Sequence, residues 1–351
     1  MRKYTVGIVG FYANGQSKAG GQEAKTWSIT EALWEEYGKE EIATVDTLHW
    51  KKNPFSLFWK LFRLHRQSEN IVMLPAQNSV RVFIPVFSFF NLFSRRRLHY
   101  AVVGGWLPEL LKKHKRLAKK AKKLYGIYVE TSSLKTELEK QGFTNVKLLP
   151  NFKKLQIQKE EELSQKQQTP LRLCTFSRVM PEKGIADVVE SVRAVNEKHG
   201  EVALELDVYG KIDPNYIEWF EEFQKTFPPY IRYCGMVEPH ESVATLKEYF
   251  ALVFPTRYKT EGIPGTIIDA YAAGLPVITA LWNNCVDVFE EGVTGFGFAL
   301  GNTVALTSAL ERALDEKEAL SSMRFACLKK AREFSPEKAI SVLIENILVK
   351  K

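Results

Sequence analysis

Short runs of β-branched and other apolar residues alternate with longer amphipathic stretches along the whole of this 351-residue chain. Such alternation favours parallel sheets whose strands are joined by covering helices. Because single cores rarely grow beyond about 250–300 residues, the length predicts two domains of this kind. Strands are predicted at 4–10, 41–45, 70–74, 98–103, 126–129 and 146–149 in the first half, and at 171–176, 203–209, 230–234, 251–254 and 276–279 in the second.

The stretch 153–170 is rich in Lys, Gln and Glu, contains no glycine and is predicted to be a linker. It separates an N-terminal Rossmann-like domain, 1–152, from a C-terminal one, 171–334. Ser335 and Pro336 then mark the start of a final helix, 335–351, whose apolar face is expected to pack back toward the N-terminal domain. The predicted fold class is α/β, with two doubly wound domains facing an interdomain cleft that is the natural active site.

The segment 256–279 holds an acidic residue, a glycine-bearing turn and the start of a helix in succession. Glu261 precedes the turn Gly262–Gly265, and Asp269 follows eight positions after Glu261 within the predicted helix. A helix N-terminus presents unpaired N–H groups and a positive dipole end, which suit a phosphate or the hydroxyls of a sugar. An ordinary strand-loop-helix unit with Glu261 as a solvated charge explains the segment equally well when it is taken alone.

Two cations lie five residues apart in the loop that follows the predicted strand 171–176. Arg178 and Lys183 at the carboxyl end of a strand could bracket a diphosphate and neutralise charge that develops on it. A solvent-facing loop with ordinary charges is the favoured explanation of this pair in isolation. Considered with Glu261 and Asp269, however, the pair resembles the retaining GT-B-fold glycosyltransferases of the large glycosyl transferases group 1, or family 4, type.

The stretch Gly104–Pro108 resembles a subset of this family, the bacterial surface-polysaccharide glycosyltransferases, and the family resemblance extends to Ala19–Glu23, Leu149–Asn151, Tyr233–Val237 and Asp287–Gly295. The family resemblance implies that Arg178 and Lys183 hold the donor diphosphate, that Glu261 accepts hydrogen bonds from the transferred sugar and that Asp269 binds the ribose. The family usually has Glu at the position of Asp269, so the shorter side chain needs a closer helix or a bridging water. Further donor-binding positions implied by the resemblance are Gly20, Gly21, Val237, Gly262, Ile263, Pro264, Gly265 and Thr266.

Many members of this family carry a histidine at the end of a central N-terminal strand. Here that strand ends in Gly104-Gly105-Trp106, and His99 lies at its opposite end. The resemblance implies that the two glycines admit the acceptor and that Trp106 stacks on a sugar ring. Trp106 as a plain core residue is an equally open interpretation.

No cofactor and no metal site are predicted. The chain has no Asp-x-Asp motif, and its four cysteines are widely spaced without a C-x-x-C pair. The expected co-substrate is a UDP- or GDP-linked sugar. The cysteine spacing also favours a reducing cytoplasm.

Basic residues are concentrated between Arg95 and Lys123, where eleven Lys or Arg residues face one acid, Glu109. The basic stretch 107–124 is predicted to form one helix. With the aromatic-rich stretches 53–63 and 82–93, this region predicts a surface that attracts anionic lipid headgroups. A solvated helix face over buried aromatic residues is the alternative, and nucleic acid is not favoured because no binding module accompanies the charge. We therefore expect a cytoplasmic protein, without a signal peptide or spanning helix, that contacts the inner face of the cell membrane peripherally.

The predicted function is transfer of a hexose-type sugar, with retention, to a hydroxyl of a saccharide acceptor, expected to be lipid-linked, in surface-polysaccharide synthesis. A catalytically inactive nucleotide-sugar-binding partner subunit is the alternative, motivated by the missing histidine and by Asp269. A nicotinamide-dependent oxidoreductase is a third hypothesis, which the stretch 10–15 weakens because it does not follow the G-x-G-x-x-G pattern.

Overall fold

The computed structural model describes residues 4–13, 21–48, 52–163 and 169–347. It contains two compact units. The first consists of the chain up to Lys154 together with the segment from Ser335 onward, and the second is Leu155–Phe334. The last element of the chain therefore belongs to the first unit.

The first unit is built on a six-stranded parallel sheet with the order β2-β1-β3-β4-β5-β6. The four central strands of this sheet are buried along most of their length, as in parallel sheets covered by helices, whereas the two edge strands are only partly buried. The strands are β1 (Tyr4–Gly10), β2 (Ile42–Asp46), β3 (Ser68–Met73), β4 (Arg97–Ala101), β5 (Gly126–Val129) and β6 (Val146–Leu148). The helices between them are α1 (Gly21–Tyr37), α2 (Pro54–Gln67), α3 (Val80–Phe93), α4 (Leu107–Lys113), α5 (Lys115–Ala121) and α6 (Ser132–Lys140).

The basic stretch 107–124, expected to form one helix, is interrupted at His114, whose φ of −118° and ψ of 74° are not helical. Lys112, Lys115 and Lys119 lie three and four positions apart, where like charges on a continuous helix repel one another. The break gives two short helices, α4 and α5, whose apolar residues still join the core of the first unit.

The second unit contains a parallel sheet with the order β12-β11-β10-β7-β8-β9. All eleven strands predicted from the sequence are present, and β12 is an additional one. The strands are β7 (Leu171–Phe176), β8 (Leu204–Tyr209), β9 (Ile231–Tyr233), β10 (Ala251–Phe254), β11 (Val277–Leu281) and β12 (Gly295–Ala299). The helices are α7 (Ile185–His199), α8 (Ile217–Gln224), α9 (Ser242–Leu246), α10 (Gly265–Ala272), α11 (Thr303–Asp315), α12 (Lys317–Ser322) and α13 (Arg324–Ala331).

The chain enters the second unit through a segment that packs on it. Leu155 and Ile157 are half-buried against its core, and the Gln158 N–H donates to the Ala272 carbonyl at 2.8 Å. The start of the predicted linker is therefore docked at the end of α10.

The final helix, α14 (Pro336–Ile344), begins after Ser335 as the sequence predicts. Its residues Ile340 and Leu343 are buried in the same cluster as Ile29 and Leu33 of α1. The helix thus completes one face of the first unit. Over the described ranges, no helix combines the length and the apolar character that crossing a bilayer requires.

Candidate functional site

The sheet of the second unit has a topological switch point between β7 and β10. These strands are neighbours, but the chain continues from β7 toward β8 on one side and from β10 toward β11 on the other. Loops that leave such a pair diverge and open a crevice at the carboxyl ends of the strands, which is where ligands bind in this class of sheet. The loop after β7 carries Arg178 and Lys183, and the loop after β10 carries Glu261.

Lys183 and Glu261 form an ion pair at this switch point. The Lys183 Nζ donates to Glu261 Oε1, and the two side chains are only 17% and 16% exposed. The ammonium also lies 4.9 Å from the ring centroid of Tyr258 and 5.8 Å from that of Phe254. A carboxylate and two aromatic faces therefore hold the lysine at one place in the crevice.

The two loops are also joined through their backbones. Gly184 follows Lys183 with a φ of +71°, and a Cβ added there would lie 1.9 Å from the Pro255 carbonyl oxygen. The Arg257 N–H donates to the Glu182 carbonyl at 2.9 Å, and its guanidinium binds Asp187 at 2.5 and 2.8 Å. These contacts fix the position of Lys183 relative to the Glu261 loop.

Tyr258 lies among the charges of the site. Burial raises the pKa of its phenol, the carboxylates of Glu182 and Glu261 raise it further, and the Arg178 guanidinium opposes them. The phenol therefore stays protonated at neutral pH and can donate a hydrogen bond. Arg178 itself is half-exposed and lies 3.5 Å from the Asp213 carboxylate.

Helix α10 starts at the crevice without a side-chain cap. Its N-cap is Pro264, which has no hydrogen-bonding side chain, so the first N–H groups of the helix are left for a ligand or water. The Thr266 hydroxyl is buried and has no hydrogen-bond partner among the described residues. The Glu261 carbonyl accepts from Asn284 Nδ2 at 3.0 Å, which fixes the residue just before the turn.

Asp269 lies on the buried side of α10 and is 6% exposed. It follows Ile267 and Ile268, and it precedes Ala270 and Tyr271, all fully buried. Its assignment to a ribose therefore stays a prediction.

An aromatic pair that the sequence interpretation missed ends two neighbouring strands. Phe176 of β7 and Tyr209 of β8 have ring centroids 4.4 Å apart. Beyond them the Gly210 N–H donates to the Gly235 carbonyl at 2.8 Å, two residues before the half-buried Val237. The sequence did carry a signal for this pair, because an aromatic residue stands at the last position of each of the two strands. Neighbouring parallel strands end at the same edge of a sheet, so such residues lie close together.

The resemblance assigns Gly21, at the start of α1 in the first unit, to donor binding. Gly21 opens the helix, and nothing lies within 4 Å of a Cβ placed there, whereas Gly20 falls outside the described residues. Lys25, one turn later, is buried and donates to Glu130 at 3.0 Å and to the Leu149 carbonyl at 3.4 Å. Burial lowers the pKa of Lys25, and Glu130 opposes that effect.

The predicted acceptor residues Gly104, Gly105 and Trp106 lie between β4 and α4 of the first unit. Trp106 packs partly against the core, and its Nε1–H donates to the Val103 carbonyl at 2.8 Å. The indole N–H is therefore engaged within the protein, and stacking on a sugar stays a prediction.

His99 is fully buried in β4, where its ring nitrogens bond to the Tyr128 hydroxyl at 2.9 Å and to Asn70 Oδ1 at 3.3 Å. Burial lowers the pKa of His99 to about 3. The imidazole is therefore a neutral, packed side chain. Across the ranges that the structure covers, His, Cys, Asp and Glu form no group of three or more suited to a metal ion.

Residues 170–316 match the family model described as glycosyl transferases group 1. Among curated proteins, the amylovoran biosynthesis glycosyltransferase AmsK of Erwinia amylovora is 23% identical over 147 residues. That alignment spans 41% of this chain and 36% of the relative.

Several solved structures resemble the chain over nearly its whole length, among them HepE and a sucrose-phosphate synthase. HepE of Anabaena, in complex with UDP and glucose, has a TM-score of 0.73 at 14% identity, and the match covers 97% of this chain and 98% of HepE. Sucrose-phosphate synthase of Thermosynechococcus elongatus has a TM-score of 0.74 at 14% identity, with 98% of each chain covered. The predicted GT-B fold class, with two Rossmann-like units, is confirmed.

Proposed function

We propose that this chain, whose residues 170–316 match the family model of the glycosyl transferases group 1, transfers a hexose-type sugar from a nucleotide diphosphate to a hydroxyl of a saccharide. The Lys183–Glu261 pair at the switch point between β7 and β10 carries the proposal. A cation and an acid fixed beside an uncapped helix start match a ligand that has both a diphosphate and hydroxyl groups.

Each group of the second unit has a proposed task. Lys183 and Arg178 hold the diphosphate and neutralise the charge that develops on it as the bond to the sugar breaks. The first N–H groups of α10, at Gly265 and Thr266, support the same phosphates, and Glu261 accepts hydrogen bonds from the sugar. The resemblance adds Asp269 for the ribose and retention at the anomeric carbon.

UDP is the proposed nucleotide, because HepE is described in complexes with UDP, with UDP and glucose, and with UDP-glucose. Phe176 and Tyr209 are the last residues of β7 and β8, and Val237 follows β9; in the strand order, β8 and β9 lie on the side of β7 away from β10. We propose that the base lies there. A GDP-linked sugar is the competing donor and would be detected in the same assay.

The acceptor is proposed to be lipid-linked, and the protein is proposed to meet it at an anionic membrane surface. The supporting observation is the basic and aromatic character of the first unit, where Phe55, Trp59, Leu92 and Phe93 are exposed and many cations lie close to them in the sequence. Amphipathic helices with such residues lie in the membrane interface.

Release of nucleoside diphosphate from UDP- and GDP-sugars tests the donor assignment. Glu261→Gln and Lys183→Ala should each lower the rate by about a hundredfold or more, since each removes a charged contact near the reacting centre. Lys198→Ala is the matched control, because Lys198 pairs with Glu311 at 2.8 Å on the last turn of α7. Full turnover in both site variants would refute the proposal.

The inactive partner subunit is the second candidate, and it rests on the packed, neutral His99 and on the internal bond of Trp106. This second function predicts that the unaltered protein binds the donor but releases no nucleoside diphosphate with any acceptor in a panel. Calorimetric titration with UDP-sugar beside the release assay separates the two functions.

A further inference from the structure

Helices α2 and α3 of the first unit each expose large apolar side chains. On α2, Phe55 and Trp59 lie four positions apart, and on α3, Phe89 and Phe93 have the same spacing. Residues four apart share one face of a helix, so each helix presents an aromatic stripe. Exposed apolar surface of this extent indicates a contact that forms outside the unit's own core.

Side chains of both helices, and of the residues just after α3, line an open groove of about 720 Å³. Aromatic side chains form most of its lining: Phe58, Trp59, Phe62, Phe89, Phe90 and Phe93. Its volume lies within the range of about 300–1,000 Å³ that is typical of sites for small molecules. The groove is therefore large enough for a ligand rather than for a single side chain.

The floor of the groove is held by ring contacts. Phe90 is buried, and its ring centroid lies 5.2 Å from that of Phe58 and 5.4 Å from that of Phe62, both in edge-on geometry. The buried His65 lies 5.6 Å from Phe90 and binds Asn91 at 2.8 Å. These contacts pre-form the apolar surface, so a ligand need not order it.

One end of the groove is cationic. Arg66 and Arg96 line it, and Arg96 donates through Nε to the His65 carbonyl at 3.1 Å and through Nη2 to the Arg66 carbonyl at 3.2 Å. Between residues 47 and 108 the one acidic residue is Glu69, against nine cations. These cations are Lys51, Lys52, Lys60, Arg63, Arg66, Arg81, Arg95, Arg96 and Arg97.

We infer that this groove binds one hydrocarbon chain of an anionic lipid, with the phosphate of its headgroup at Arg66 and Arg96. An apolar trough with a cationic end matches a molecule that is apolar along its length and negative at its head. The inference goes beyond shallow insertion of the aromatic residues into a membrane, because it predicts one saturable site per chain. It depends on the first unit alone and is tested without a nucleotide sugar.

Substitutions at two neighbouring residues, Phe93 and Leu92, distinguish binding in the groove from binding to a general apolar surface. Phe93 lines the groove and is 75% exposed, whereas Leu92 is 78% exposed and does not line it. Binding of myristoyl lysophosphatidylglycerol, kept below its micelle concentration, is followed by calorimetry and native mass spectrometry. Phe93→Ser should weaken binding by about tenfold, the effect of withdrawing one large apolar side chain from a contact. Leu92→Ser should change it by less than about twofold.

The cationic end is tested with a second matched pair. Arg66→Gln should weaken binding of the anionic lipid by about tenfold and should change binding of monomyristoylglycerol, a lipid with the same chain but no phosphate, by less than about twofold. Arg63→Gln, on the same helix but outside the groove lining, should affect neither lipid. Glycerol phosphate, which has a head without a chain, should not compete, because the chain supplies most of the contact.

Several outcomes would overturn the inference. Non-saturable binding, or equal losses in Phe93→Ser and Leu92→Ser, would indicate a general apolar surface. Competition by glycerol phosphate would indicate an anion site. A dimer that dissociates in Phe93→Ser, with no lipid bound, would assign the groove to a second copy of the chain. All four substituted side chains are exposed, so an unchanged melting temperature verifies the fold.

Discussion

Replacement of Gly184 by alanine tests whether the backbone contact between the two loops of the candidate site positions Lys183. Gly184 has a φ of +71°, and its added Cβ would lie 1.9 Å from the Pro255 carbonyl oxygen. Gly200, at the other end of α7, has a φ of +69° and nothing within 4 Å of its added Cβ. The two glycines therefore share the same strained conformation and differ in the close approach.

The magnitudes follow from this difference. Alanine in the left-handed region costs about 1 kcal/mol, so Gly200→Ala should lower the melting temperature of the second unit by about 2–4 °C. In Gly184→Ala, the added Cβ would also overlap the Pro255 carbonyl oxygen. To raise their separation from 1.9 Å to the 3.4 Å of an ordinary contact, the backbone must move by about 1.5 Å. Overpacking of this kind adds about 1–3 kcal/mol. A displacement of about 1 Å near a reacting centre costs about a hundredfold in rate.

The assay combines thermal unfolding with UDP titration and nucleoside diphosphate release. Gly200→Ala should lose stability and keep both donor binding and release. Gly184→Ala should lose more stability and about a hundredfold in release. If the two variants behave alike in all three measurements, the contact with Pro255 does not position the lysine.

Three further predictions concern the first unit. The unfolded chain protonates His99 near pH 6.5 while the folded chain keeps it neutral to about pH 3, so the free energy of unfolding should fall by up to about 1.4 kcal/mol per pH unit as the pH drops through that window. His99→Gln should remove that part of the slope in urea titrations, and an unchanged slope would contradict the prediction. Lys25→Met should lower the free energy of unfolding by about 3–5 kcal/mol because it removes the ammonium partner of the buried Glu130 carboxylate. Adding Glu130→Gln should restore most of that stability. A double variant no more stable than Lys25→Met would argue against the pair. Trp106→Phe removes the bond to Val103 and should cost about 1 kcal/mol in chemical denaturation, while a loss confined to acceptor KM would instead assign the indole to the sugar.

The parallel strands were the most predictable part of the fold, because strands that are buried on both faces have nearly continuous apolar sequences. β12 was missed since its sequence, Gly-Phe-Gly-Phe-Ala, contains two glycines, which have low strand propensity. Its pairing with β11 stabilises it as a strand, and that is a tertiary effect. The break at His114 was missed because no glycine or proline marks it.

The candidate site was predictable where its chemistry lies in loops next to strands. The spacing of Arg178 from Lys183 could suggest a diphosphate, but the ion pair of Lys183 with Glu261 joins residues 78 positions apart and depends on the strand order. Tyr258 was not singled out because its significance comes from the charges around it, which the sequence does not bring together. The packed state of His99 likewise depends on Tyr128 and Asn70 from neighbouring strands.

Because α14 supplies Ile340 and Leu343 to the core around α1, the first unit is completed only after the second has been synthesised. Its strands and α1–α6 are made before the second unit, yet one sheet face keeps part of its apolar surface uncovered until synthesis reaches α14. Leu155–Phe334, by contrast, is contiguous and can fold as it leaves the exit tunnel. A nonsense mutation just before residue 336 would remove α14 and therefore destabilise the first unit, most of which is encoded upstream, while leaving Leu155–Phe334 intact.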